Sequence, residues 1–236
     1  MSDPGLKNQA RSVQIGTGRV TLDGDLVVPA GARGIVLFAH GSGSSRHSRR
    51  NRRVAEHLQR AGLATLLFDL LTANEEVLDA ATAELRFNIA LLADRLARAT
   101  DWLASQPDVQ ALPVGYFGAS TGGGAALVAS VLRPQSVQAV VSRGGRPDLA
   151  GRYLPRVKAP TLLIVGGRDP EVITLNRQAL DLLQPRVKQL VIVPGASHLF
   201  EEAGTLDQVA ELARAWFERF LGSPSSVTGT RVASNG

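Results

Sequence analysis

The chain has 236 residues, 44% of them apolar, with a formal charge of +5 and no cysteine. That is enough apolar material for one sizeable core, and the missing thiols exclude disulfides, thiolate metal sites and a cysteine nucleophile. No apolar run approaches the roughly 18 residues of a membrane span, and residues 1–7 lack the apolar segment of a secretory signal. A cytoplasmic location with no membrane partner is therefore expected.

In chain order, residues 1–11 read as a flexible leader, 12–221 as a single α/β domain and 222–236 as a polar, disordered tail. Residues 12–15 and 20–28 form an expected antiparallel pair. Residues 34–39 (GIVLFA) make a continuous apolar strand of the kind buried on both faces, and it ends at His40-Gly41-Ser42-Gly43. A helix is expected over 48–61, with Gly62 as its cap, followed by a strand over 64–70. The acidic, alanine-rich stretch 72–84 reads as a connection that helps wall a site. Ile89, Leu92, Leu96, Ala99 and Leu103 recur at helical spacing and stop before Pro107.

A short strand over 114–117 then runs through Gly118-Ala119-Ser120-Thr121-Gly122 into a small-residue helix. Further strands are expected over 137–141, 161–166 and 190–193. A Gly/Pro/Arg-rich loop over 143–155 and a helix over 175–183 separate them. The last helix carries Leu206, Val209, Leu212, Trp216 and Phe220 on one face. Strands alternating with helices from residue 34 onward predict a mostly parallel eight-stranded sheet with helices on both faces. No segment between 141 and 161 is long enough for a large cap domain, so the pocket should be open and shallow.

The chemistry concentrates at three strand ends. Ser120 stands on a sharp strand-to-helix turn whose glycines spare the serine neighbouring β-carbons. Asp169 lies in Gly167-Arg168-Asp169-Pro170 after one strand, and His198 in Pro194-Gly195-Ala196-Ser197-His198 after the next. The order Ser, acid, His suits a nucleophile activated by a neutral-pKa base that a carboxylate orients. Asp148, after the preceding strand, is a rival for the acid, while Asp69 comes too early in the order. Among the other histidines, His40 reads as a structural residue holding a loop, His57 as a surface residue, and His47 as a substrate contact at most.

These motifs resemble the α/β-hydrolase superfamily over roughly residues 13–221. Within it they resemble the dienelactone-hydrolase-like branch of small capless enzymes. The similarity is closest to a subgroup also found attached to phosphoribosyltransferases, through His40-Gly41-Ser42-Gly43-Ser44-Ser45-Arg46, Asp69-Leu70-Leu71-Thr72 and the three motifs above. The resemblance implies a catalytic triad of Ser120, Asp169 and His198. It implies an oxyanion hole from the backbone N–H of Thr121 and of Ser42, with Gly43 an open alternative for the second donor. Dienelactone hydrolases proper carry cysteine at the elbow, so Ser120 points to a plain serine esterase of short to medium acyl chains. A lactonase, thioesterase, amidase or acyltransferase with the same triad stays open, as does a non-catalytic binding domain.

The arginine cluster Arg46, Arg49, Arg50, Arg52 and Arg53 lacks interleaved aromatics. It reads as a solvated helix start rather than a nucleic-acid surface. Arg143, Arg146 and Arg168 are expected in loops at the site rim, where Arg143 and Arg146 could grip an anionic substrate bidentately. Gly41-Ser42-Gly43-Ser44-Ser45 lacks the Gly-Lys-Ser/Thr ending of a phosphate loop, and no metal-ligand spacing is present. The expected partner is a small-molecule ester, with no cofactor and no metal. Both a monomer and a homodimer fit the pattern.

Overall fold

The computed structural model describes residues 10–222; the expected tail and most of the leader lie outside them. Eight strands form one sheet: β1 (Arg11–Gly16), β2 (Thr21–Val27), β3 (Ile35–Ala39), β4 (Ala64–Phe68), β5 (Val114–Ala119), β6 (Val137–Arg143), β7 (Thr161–Gly166) and β8 (Lys188–Val193). Their spatial order is β1-β2-β4-β3-β5-β6-β7-β8. β2 runs antiparallel to both of its neighbours, and every other pairing is parallel. This is the α/β-hydrolase architecture, with no cap domain among the described residues.

The strands are apolar end to end because both faces of the sheet are covered. Alternation assigns each residue to a face. Ile35, Leu37, Leu66 and Tyr116 pack beneath α3 (Ile89–Leu103) and α4 (Thr121–Leu132). Val36, Phe38, Phe117 and Val141 pack beneath α1 (Arg49–Arg60) and α6 (Thr205–Leu221). Each fully buried Phe or Leu contributes about 2 kcal/mol of transfer free energy, and the two layers fix which strand ends converge. α5 (Pro170–Leu182) starts earlier than periodicity suggests, because Pro170 is pre-set for the first turn of a helix.

Two segments differ from the sequence reading. The connection over 72–84 contains a helix, α2 (Ala73–Thr82), followed by a 3-10 turn over Leu85–Phe87. A reciprocal capping box starts α2: Thr72 accepts from the Glu75 amide while the Glu75 carboxylate accepts from the Thr72 amide. The expected loop over 143–155 is mostly 3-10 turns over Pro147–Arg156, kinked at Gly151. β6 also extends to Arg143, so that residue belongs to the sheet and not to a loop.

Candidate active site

Ser120 ends β5 with φ 51° and ψ −122°, a left-handed conformation that costs a non-glycine residue about 1–3 kcal/mol. Three bonds hold it. The Ser120 amide donates to Arg143 O at 3.2 Å, and Ser120 O accepts from the amides of Gly123 (2.9 Å) and Arg146 (3.0 Å). The flanking glycines are sterically required. A β-carbon on Gly122 would stand 2.1 Å from Ala39 O, and one on Gly118 would stand 2.4 Å from Gly122 O. The backbone of β3 and the first turn of α4 are thus pressed together beside the serine.

That approach juxtaposes the loop after β3 with the start of α4. Ser42 Oγ and Thr121 Oγ1 are 3.1 Å apart. Among the described residues neither the Ser42 nor the Thr121 amide has a protein acceptor. They are free donors beside Ser120, in the positions expected for an oxyanion hole. His40 fastens this loop: its Nδ1–H donates to Gly41 O at 3.0 Å, and its Nε2 accepts from the Leu70 amide at 3.0 Å. Burial lowers its pKa, with Gly41 and Asp69 opposing, so the ring stays neutral as the Leu70 bond requires.

Asp169 directly precedes α5, and His198 follows β8. His198 Nδ1 lies 2.6 Å from Asp169 Oδ2; a carboxylate only accepts here, so Nδ1 carries the proton and Nε2 is left as the acceptor. Gly166 permits the approach of the two loops, since a β-carbon there would sit 2.4 Å from Ser197 O. The Arg168 amide then donates to Ala196 O at 2.9 Å. Asp169 is mostly buried and the His198 side chain is 37% exposed. The rival acids are engaged elsewhere, Asp148 by Arg146 and Asp69 by Arg46. Ser120 Oγ makes no hydrogen bond to His198. Such bonds commonly tighten only around substrate.

The expected substrate contacts fare differently. His47 lines the cleft beside the Ser42 loop, where its Nδ1 takes Arg52 Nη2 at 2.8 Å. Arg146 is fastened to Asp148 by two bonds of 2.9 and 2.8 Å. Arg168 pairs with Glu202. Arg143 shares the face of Val141, so it points inward under the α1/α6 layer and is only 7% exposed. It lies over the Phe200 ring at 5.9 Å, and burial together with Arg50 lowers its pKa to about 10. The expectation that Arg143 stands at the rim is thus overturned by strand parity. Neither Arg143 nor Arg146 lines the cleft.

That cleft, of about 470 Å³, opens from Ser42 and Thr121 toward α2. Its far wall carries Glu76, Asp79 and Ala80 of α2, with Arg86 from the following turn. The sequence reading expected the stretch 72–84 to help wall a site, but singled out none of these residues individually and expected no helix there. The Thr72-x-x-Glu75 capping box was the available signal for a helix there. Among the described residues no three His, Asp or Glu side chains converge as a metal cluster, and no helix is long and apolar enough to cross a membrane.

A serine on a strained strand-helix turn, two unpaired amides and a carboxylate-bound histidine, all at the carboxyl edge of this sheet, define the class: an α/β-hydrolase. The chain belongs to the dienelactone hydrolase family, whose model matches residues 22–222. It is 66% identical to a dienelactone hydrolase from Anabaena variabilis, with a TM-score of 0.88 over 90% of this chain and 98% of that one. A Mycobacterium tuberculosis protein, Rv0571c, provisionally named a phosphoribosyl transferase, is 60% identical over 94% of this chain. The match covers 49% of that relative, so the chain spans about half the length of the curated relatives it matches at this identity. The esterase Est1E from Butyrivibrio proteoclasticus, solved with ferulic acid, shares the fold at 15% identity, with a TM-score of 0.74 over 89% of this chain and all of that one.

Proposed function

We propose that the chain hydrolyses small-molecule carboxylic esters of short to medium acyl chain through an acyl-enzyme on Ser120. The carrying observation is the 2.6 Å bond between His198 and Asp169 on the sheet edge that also presents Ser120. Asp169 fixes the tautomer with Nε2 free and stabilises the imidazolium that forms. His198 takes the Ser120 proton as Oγ attacks the carbonyl carbon, then gives it to the departing alcohol. The amides of Ser42 and Thr121 receive the negative oxygen of the tetrahedral intermediate, and each such donor contributes about 3 kcal/mol. Water, deprotonated by His198, then clears the acyl group and restores the serine. The transferase name of the mycobacterial relative belongs to a protein twice as long, and no residue of this site is assigned to that activity.

The test is hydrolysis of p-nitrophenyl esters from acetate to long acyl chains by wild type, Ser120→Ala and Asp169→Asn. The expected result is turnover in wild type, none above background in Ser120→Ala, and a loss of about 10⁴-fold in Asp169→Asn. Undiminished turnover in Ser120→Ala would remove the serine from the mechanism. A folded but inert wild type that binds esters would mark a binding domain instead.

A further inference from the structure

The cleft beside the oxyanion amides carries one carboxylate with no cation of its own. Of the ionisable groups that line it, Asp79 is held by Arg86, whose Nε donates to Asp79 Oδ2 and whose Nη2 donates to Asp79 O, each at 2.7 Å, and His47 is held by Arg52. Glu76 is exposed on the cleft side of α2, and among the described residues its carboxylate makes no hydrogen bond or ion pair. Desolvation in the cleft wall and the charges of Asp69 and Asp79 raise its pKa. Arg46 and His47 oppose this from a distance, but Arg46 is committed to Asp69. The rest of the lining is uncharged: the serine row from Ser42 to Ser48 on one side, Leu70, Leu71 and Leu92 on the other. The arginines that could have given the rim a positive sign are buried or already paired.

From this arrangement we propose that Glu76 sets the charge preference of the site, which takes esters bearing a cationic group and disfavours those bearing a carboxylate. The inference rests on the ester-hydrolase reading, since the same cleft opens onto Ser42 and Thr121. Glu76 lines the same cleft as Ser42 and Thr121 but belongs to a different wall, on α2, so it acts on a part of the substrate away from the ester group. A cationic head there gains an ion pair at a water-exposed rim, an effect of about fivefold at low salt that shrinks as salt screens it. A carboxylate in the same place loses by a similar factor.

The experiment compares three p-nitrophenyl esters: trimethylammoniobutyrate, its isostere with carbon in place of the nitrogen, and the monoester of adipate. Wild type should give the highest kcat/KM on the cationic ester, about fivefold above the neutral isostere and falling with ionic strength. Glu76→Gln should bring that ratio to one, and Glu76→Lys should move the advantage to the adipate ester. A cationic-to-neutral ratio that is the same in wild type and Glu76→Gln overturns the inference while leaving the hydrolase reading intact. A second arm measures calorimetric binding of the matching methyl amides to Ser120→Ala protein with and without Glu76→Gln. Glu76-dependent preference there, without hydrolysis by the intact chain, keeps the charge inference and removes the esterase. Equal binding of both amides by the two proteins overturns the charge inference.

Discussion

The two walls of the site are built by different means. The wall that holds Ser120 and His198 is backbone pressed on backbone: Gly122 against Ala39 O, Gly118 against the first turn of α4, and Gly166 against Ser197 O. The opposite wall, α2 and its following turn, hangs on charged side chains. Arg95 donates to Glu75 at 2.5 and 2.8 Å and to Leu70 O at 2.6 Å. Asp79 accepts from the Leu85 and Arg86 amides at 2.8 and 2.9 Å. Val77, Leu78 and Phe87 on this wall stay exposed. Catalytic geometry needs sub-ångström constancy, which close-packed backbone supplies. A substrate-facing wall tolerates exchangeable side chains on a lightly held helix.

The sharpest way to break the comparison is added bulk on each side. Gly122→Ala places a β-carbon 2.1 Å from Ala39 O, far inside van der Waals contact. We expect a loss of more than about 4 kcal/mol of stability and complete loss of esterase activity, read by thermal melts and p-nitrophenyl butyrate hydrolysis. Ala80→Val on α2 adds two methyl groups on the cleft side, twice the change, and should still leave the melting temperature within about 2 °C. Similar damage from both would erase the distinction between the walls.

The charged wall has its own weakness. The Arg95 side chain is 5% exposed, so Glu75→Gln strands a buried guanidinium and should cost about 2–3 kcal/mol, part of it local to α2. KM should rise more than kcat falls. The Arg95 bonds depress the Glu75 pKa from 4.5 to about 2, so in the folded state the carboxylate holds its charge more strongly than in the unfolded chain. Its stabilisation is therefore complete above pH 4.5 and lost as pH falls toward about 2. Melts of wild type and Glu75→Gln should converge across that window. Parallel curves would show that the clamp contributes nothing.

His40 gives a smaller effect at milder pH. Its pKa is lowered below 6.5 by burial, so the folded state binds fewer protons than the unfolded one. The stability it supplies is present above pH 6.5 and drains as pH falls below it. Wild type should lose melting temperature between pH 7 and 5 more steeply than His40→Gln, whose side-chain oxygen accepts the Leu70 amide at any pH. An identical slope in the two proteins would assign the acid sensitivity elsewhere.

What was legible in the sequence follows the same division. The eight strands, the elbow and the loops of Asp169 and His198 announce themselves through apolar runs, glycines and chain order, which are local signals. The 72–84 stretch was legible as a wall but not as a helix, because α2 buries little apolar surface and leaves no hydrophobic period to read, so its capping box stood alone as a signal. Arg143 was misplaced for a subtler reason. A strand that outlasts its apolar run by two residues carries the next odd-numbered side chain inward whatever its chemistry.

That misplaced arginine yields the smallest expected effect. Arg143 Nε and Nη1 are buried with no partner among the described residues, and the charge that faces them belongs to Arg50. Buried and opposed by a like charge, the guanidinium recovers little of its hydration beyond its stacking on Phe200. Arg143→Met keeps the volume and the aromatic contact while removing the charge, so the melting temperature should hold or rise by the equivalent of about 1 kcal/mol. The ratio of adipate to neutral ester hydrolysis should not move, because the side chain does not line the cleft. A selective loss on the adipate ester would instead mean that an anion reaches Arg143, and would return positive charge to the wall that the structure leaves without it.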